Sequence, residues 1–356
     1  MMEFCVVGVF PPPSTGQSIA FKNFADEFLG EYEEVDVSGG GGGFYKLKKT
    51  IRYLTAIKLI VSNNKCVYYT LNSGGGLYLD LLFVSICKLF KRSMIIHHHS
   101  YGYINSKDWK VGMISSVLNK YDYFVFLSSR MKSDYNIVYP HSAKAVCLNN
   151  IFQYDLANKS RILGAAGSCV IKVGYLSNLT LDKGFDTICD IIRRATGVEG
   201  MYIEFHIAGP FADSESKALF DSLTDAERAL VEYHGPVYGE DKDKFFCNID
   251  LFLFPTRYEN EAQPMVLVEA LQYGVPVLAA DRGTIKDLIG DDFTVGATEN
   301  FSERALERIN EMSSSKTLRL QASQTASTHF ADLKKRSSNE IEDIRRMVGE
   351  VTSRVS

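Results

Sequence analysis

Two carboxylates bracket the start of an apolar segment in Glu261-Ala262-Gln263-Pro264-Met265-Val266-Leu267-Val268-Glu269. The run follows the apolar stretch Leu251-Phe252-Leu253-Phe254 and opens a segment from Pro264 to Tyr273, which Gly274 closes. This order reads as buried strand, loop, helix. Proline suits a first helical turn because its missing N–H has no partner to lose there. Glycine suits the position just past the last turn. A helix apolar nearly all round is expected to be buried, and that makes Glu269 conspicuous. An unpaired buried carboxylate costs several kcal/mol or takes up a proton, and a ligand carrying hydroxyls would satisfy it. The helical rise puts Glu269 about 7.5 Å along the axis from Pro264. The free N–H groups at the helix start are a natural phosphate seat. A phosphate at that end and a ribose beside Glu269 fit a nucleoside diphosphate, with Glu261 near whatever group the phosphates carry.

The pattern resembles the Glu–seven residues–Glu signature of retaining glycosyltransferases with the GT-B fold, above all glycosyltransferase family 4, of the kind used in bacterial surface polysaccharide synthesis. The likeness runs from Phe254-Pro255-Thr256-Arg257-Tyr258-Glu259-Asn260-Glu261 through Glu269-Ala270 to Gly274-Val275-Pro276-Val277. It implies an α/β fold of two Rossmann-like domains whose parallel sheets face each other across a cleft, the donor being held by the second domain. Glu261 would then face the sugar. Gln263, Pro264, Met265 and Val266 would receive the phosphates, and Glu269 would grip the ribose.

Other stretches carry the same resemblance. Lys183-Gly184 follows Gly174-Tyr175-Leu176 as the family's Lys-Gly follows Gly-Arg-Leu, so Lys183 is assigned to the diphosphate. Tyr175 stands where the family has arginine, and Asn178 or Tyr175 would replace that contact by hydrogen bonding. Pro13-Ser14-Thr15-Gly16-Gln17-Ser18 resembles the first glycine loop, which places Gly16 against the donor. Gly209 matches a cleft-lining glycine. Val237, in Tyr233-His234-Gly235-Pro236-Val237-Tyr238, matches the loop beside the nucleotide base. His97-His98-His99 ends a strand whose alternation puts His97 and His99 on one face. His99 resembles the family histidine that faces the donor sugar. The triplet lacks the further ligands a zinc site needs. Asp241-Lys242-Asp243 reads as acids at a helix start, so neither a metal nor another cofactor is expected.

Strand and helix signals alternate throughout, which argues for parallel sheets with crossover helices. Strands are predicted at 4–10, 67–71, 93–98, 123–127 and 145–148, then at 170–174, 202–208, 231–234, 251–254 and 277–280. The polar, aperiodic stretch Ile151 to Gly167 reads as a linker. The expected domains are 1–155, 168–330 and a C-terminal helix, 331–356, returning to the first domain. No Gly-x-Gly-x-x-Gly follows a strand, which counts against a nicotinamide enzyme.

The 356 residues are 46% hydrophobic and 23% charged, an ordinary globular balance without a run long enough for a membrane span. Seven scattered cysteines with no Cys-x-x-Cys pair argue against disulfides and for a reducing cytoplasm. Residues 1–155 carry a net +4 and the remainder −8. Between Val37 and Lys107 the only acid is Asp80. The basic stretch Lys46-Leu47-Lys48-Lys49-Thr50-Ile51-Arg52-Tyr53-Leu54 suggests an anionic membrane surface as partner, with no nucleic acid expected. The resemblance thus implies transfer of a sugar from a nucleotide-sugar to a hydroxyl of a glycan or lipid-linked acceptor, on the inner face of the membrane. A GT-B epimerase or phosphorylase and a non-enzymatic sugar-binding protein remain alternatives.

Overall fold

The computed structural model describes residues 3–12, 15–39, 44–62, 65–155, 170–198 and 202–354, and the backbone alone of Lys46. Pro13 and Ser14 of the first glycine loop and most of the expected linker lie outside the described residues. The chain divides into two compact units. The first comprises Met1–Gln153, Asn260–Gln263 and Arg336–Ser356; the second comprises Tyr154–Glu259 and Pro264–Lys335.

The first unit is built on a six-stranded sheet in the order β2-β1-β3-β4-β5-β6. Its strands are β1 (Phe4–Gly8), β2 (Tyr32–Asp36), β3 (Cys66–Thr70), β4 (Met94–His97), β5 (Tyr123–Phe126) and β6 (Lys144–Cys147). All neighbours pair in parallel. The four central strands are buried along their whole length, as continuous apolar runs in a sheet covered on both faces should be. β2 lies outside the sequence expectation because Tyr-Glu-Glu-Val-Asp carries only one buried side chain. It is an edge strand, and its acids take Lys65 and Lys22 as partners.

The second unit repeats the architecture in the order β12-β11-β10-β7-β8-β9. Its strands are β7 (Ile171–Leu176), β8 (Ile203–Ala208), β9 (Val231–Gly235), β10 (Leu251–Phe254), β11 (Val277–Ala280) and β12 (Thr294–Val295), again all parallel. β12, two residues long, is too short to leave a period in the sequence. Ile171, Val173, Leu251 and Leu253 pack with Phe185, Ile188 and Ile192 of a crossover helix.

Two segments depart from the expected boundaries. Asn260–Gln263 groups with the first unit: Tyr101 N–H donates to Asn260 O (3.4 Å), and Asn150 N–H donates to Gln263 Oε1 (2.8 Å). Ala262 joins that unit's core. The last helix starts at Lys316 and runs to Thr352. Its final residues, including Ile344, Met347 and Val351, pack with Phe4, Phe24 and Phe28 of the first unit.

Candidate active site

Loops beyond the carboxyl ends of parallel strands are where such sheets bind ligands, and in each unit the candidate residues fall there. In the second unit, β10 leads to the helix Met265–Gln272, which buries Leu267, Val268, Ala270 and Leu271. Pro264 is not in the first turn as expected. Its ψ of 119° makes it the extended residue before the helix. Proline brings no capping side chain there, so none covers the first-turn amides of Met265 and Val266 from that position.

Glu269 lies on the fifth residue of this helix, its side chain 13% exposed. Its Oε1 accepts from Lys242 Nζ (2.6 Å) and from the Tyr154 hydroxyl (3.2 Å). Its Oε2 is buried and has no hydrogen-bond partner. The carboxylate is therefore half satisfied by protein. Burial and the neighbouring carboxylate push the Tyr154 hydroxyl upward from its ordinary value, keeping it a neutral donor. Neither partner was legible in advance. Lys242 sits inside the Asp-Lys-Asp run, and Tyr154 sits at the edge of the expected linker. The two flanking acids have other uses: Asp241 pairs with Lys244 (2.9 Å), and Asp243 accepts from the Tyr273 hydroxyl (2.6 Å).

Lys183 precedes the helix Phe185–Ala195, with Gly184 at its N-cap in the left-handed region (φ 79°). A Cβ on Gly184 would lie 2.1 Å from Pro255 O, so only glycine fits between this loop and the end of β10. Lys183 Nζ lies 4.7 Å from the Tyr258 ring centroid, a cation–π distance. Tyr175 does not replace the family arginine at a phosphate. β7 continues through Leu176 and buries it, and its hydroxyl donates to Lys183 O (3.0 Å). Tyr175 thus props the lysine's backbone. Arg257 is held as well, by both oxygens of Asp186 (2.7 and 2.8 Å).

Gly209 follows β8 at φ 124°, and a Cβ there would lie 1.7 Å from Ser177 O. Its N–H donates to Gly235 O (2.8 Å), and Tyr233 donates to its carbonyl (2.9 Å). These bonds tie Gly209 to the loop holding Val237. Val237 borders a cavity of about 450 Å³, also lined by His234, Pro236, Asp241, Lys244 and Phe245. Neither Lys183 nor Glu269 lines it.

In the first unit, Gly16 opens the helix Gly16–Phe28 after a capping box formed by Thr15 and Ser18. His97 and His99 share a face as alternation requires, with ring centroids 4.0 Å apart. Burial lowers the pKa of all three histidines, and His99 is pushed down to about 3. The imidazoles are therefore neutral at pH 7. His99 Nε2 is buried without a hydrogen-bond partner. Glu261, 9% exposed, follows Asn260, whose carbonyl meets Tyr101 two residues beyond His99. The structure thus brings the Glu261 segment to the His99 loop. Gln263 turns its Oε1 to Asn150, and its Nε2 is buried with no partner.

Residues 170–329 match the family model for glycosyl transferases group 1. An uncharacterized 41.2 kDa protein in the cps region of Klebsiella pneumoniae is 29% identical over 133 residues, 37% of this chain and 34% of that protein. The match thus spans about a third of the length of this curated relative. Among solved structures, HepE of Anabaena in complex with UDP and glucose superposes at a TM-score of 0.68, covering 99% of both chains at 16% identity. Sucrose-phosphate synthase of Thermosynechococcus elongatus superposes at 0.70, covering 97% of this chain and 98% of that one at 13% identity. The fold is that of GT-B glycosyltransferases.

Proposed function

We propose that the protein is a retaining glycosyltransferase that moves a sugar from a nucleotide-sugar to a hydroxyl of a glycan or lipid-linked acceptor in cell-surface polysaccharide synthesis. The observation that carries this reading is Glu269, whose Oε1 is fixed by Lys242 and Tyr154 while the buried Oε2 has no partner. A ribose hydroxyl donating to Oε2 completes the carboxylate. The diphosphate takes the first-turn amides of the Met265–Gln272 helix and the ammonium of Lys183, charge-assisted donors. As the bond from anomeric carbon to diphosphate breaks, negative charge grows on the departing phosphate and positive charge on the ring. Lys183 stabilises the first by preorganised electrostatics. Glu261 orients the sugar hydroxyls and balances the second. His99, neutral because it is buried, contacts the sugar as a hydrogen-bonding group rather than a cation. Gly16, Gly209 and Gln263 serve the donor as close-approach backbone and amide, and Val237 packs beside the base. The steps use no metal ion.

The solved relatives in complex with UDP or UDP-glucose support a nucleotide-sugar donor, and the cps-region relative supports a polysaccharide context. The membrane expectation draws support from the helix Tyr45–Ser62, which exposes Leu47, Ile51 and Leu54 beside Lys48 and Lys58. Arg52 and Lys49 are partly engaged elsewhere, with Asp36 and Asn72. Among the described residues no helix is long and apolar enough to cross a membrane.

Transfer from radiolabelled nucleotide-sugars by Glu261→Ala and Lys183→Ala tests the roles. Each is expected to lose about 10²–10³ in kcat, the scale of one preorganised charged contact. Full transfer by both variants would remove the assignment. Flotation with anionic liposomes should weaken in Lys48→Glu/Lys58→Glu; lipid-independent behaviour would eliminate the membrane role.

A further inference from the structure

A second polar cluster bridges β8 and β9. His206 is in register with Glu232, and His234 follows two residues later. His206 Nδ1 lies 3.0 Å from His234 Nε2 and 3.4 Å from Glu232 Oε2. Glu232 Oε1 lies 3.7 Å from His234 Nδ1. On the far side of the ring, Glu204 Oε2 lies 3.6 Å from His206 Nε2, and that carboxylate also meets Lys172 Nζ at 3.7 Å. His206 is 1% exposed, and its Nε2 is buried with no hydrogen-bond partner.

Counting protons exposes a conflict. A neutral imidazole has one N–H and one lone pair, and a carboxylate only accepts. Hydrogens are wanted between the two rings, on His206 Nε2 towards Glu204, and on His234 Nδ1 towards Glu232. Two neutral rings supply two. Every tautomer leaves a ring lone pair facing a carboxylate oxygen or the other ring's lone pair. A cation at the shared corner relieves it completely. Both ring hydrogens then point outward to the carboxylates.

We propose that His206 Nδ1, His234 Nε2 and a carboxylate oxygen of Glu232 bind a divalent transition-metal ion of the Zn²⁺ class, with Glu204 orienting His206. The ligand atoms all lie within 4.8 Å of one another. Tetrahedral zinc with bonds of about 2.0–2.1 Å keeps its ligand atoms about 3.4 Å apart, so the cluster needs only small adjustments. Two imidazoles and one carboxylate suit zinc rather than magnesium or calcium, which take oxygen ligands. The contact of Glu204 with the outer nitrogen of His206 is the carboxylate–histidine–metal arrangement that fixes tautomer and ring orientation. His234 also lines the 450 Å³ cavity, which gives the fourth position access to solvent. The ion would fasten β9 to β8 next to Gly235, whose carbonyl holds Gly209. The site is separate from the proposed transfer chemistry and stands if that reading falls.

The test uses full-length, untagged protein stripped with a chelator and titrated with Zn²⁺ against a chromophoric competitor. One tight site per chain is expected. Co²⁺ substitution should give visible absorption of tetrahedral character, and Mg²⁺ should not compete. His234→Ala and Glu232→Gln should each weaken binding at least tenfold, and Glu204→Gln should weaken it by about 10–100-fold. The Glu232 side chain is 62% exposed, so Glu232→Gln keeps the test valid if a histidine variant misfolds. Absence of a stoichiometric site, binding unchanged in His234→Ala and Glu232→Gln, or loss of the site in His99→Ala instead would overturn the proposal.

Discussion

Asp80 in the first unit and Glu269 in the second are both carboxylates held away from water, and their shells differ. Asp80 is fully buried and completely enclosed by donors. Its Oδ1 accepts from the Tyr69 hydroxyl (2.6 Å), the Tyr53 hydroxyl (3.1 Å) and the Asn72 amide; its Oδ2 accepts from Asn72 N–H (2.7 Å). Burial still raises its pKa, with these donors opposing the rise. Glu269 has donors on one oxygen only. A closed shell marks an acid that builds the fold. An open one marks an acid left with capacity for something else. The contrast makes the completeness of the hydrogen-bond shell, rather than burial, the guide to function.

The largest effect should come from breaking the closed shell. Asp80→Ala removes the acceptor of Asn72 N–H and of both tyrosine hydroxyls, only one of which can then donate to the other, and is expected to cost about 3 kcal/mol or more of stability. A denaturant midpoint reads this, while nucleotide affinity of the folded protein stays at the wild-type value. Unaltered stability with lost nucleotide binding would invert the comparison. Glu269→Gln should do the opposite: nucleoside diphosphate binding about 10–100-fold weaker by calorimetry, or about 1.4–2.7 kcal/mol, with a midpoint near that of wild type.

A pH series sharpens the picture of the first unit. Its buried His97, His98 and His99 have pKa values below the ordinary 6.5. The unfolded chain therefore binds more protons than the folded one below pH 6.5, so their contribution is complete above that pH and is lost as pH falls through it. His98→Phe, which preserves stacking on Phe126, should flatten the decline by up to about 1.4 kcal/mol per pH unit. An identical slope in the variant would contradict the neutral, buried imidazole. The smallest effect is expected from Lys242→Met. Glu269 then retains the Tyr154 donor, and nucleotide affinity should fall by less than in Glu269→Gln, with the double variant no weaker than Glu269→Gln alone. Full additivity would mean that Lys242 acts independently of the carboxylate.

The central strands could be read from the sequence because both faces of each sheet are covered, so runs such as Leu251–Phe254 are apolar throughout. The acidic edge strand Tyr32–Asp36 and the two-residue Thr294–Val295 could not, since little of either is buried. The spacing that picked out Glu269 is local, within one strand–loop–helix unit. Its protein partners are 27 and 115 residues away, and no local pattern joins Lys242 or Tyr154 to it. Tyr175 misled for a related reason. A loop was expected after Gly174, whereas β7 runs two residues further and turns the ring into the core. The histidine–glutamate cluster of β8 and β9 leaves no signal in one segment because His206 meets His234 and Glu232 only across strands.

The most direct measurement of the account is a calorimetric comparison of a nucleoside diphosphate with its 2′,3′-dideoxy analogue, on wild type and on Glu269→Ala. If the open oxygen of Glu269 receives ribose hydroxyls, wild type should prefer the hydroxylated ligand by about tenfold or more, and the variant should bind both alike. Equal preference in the two proteins would show that Glu269 does not hold the ribose.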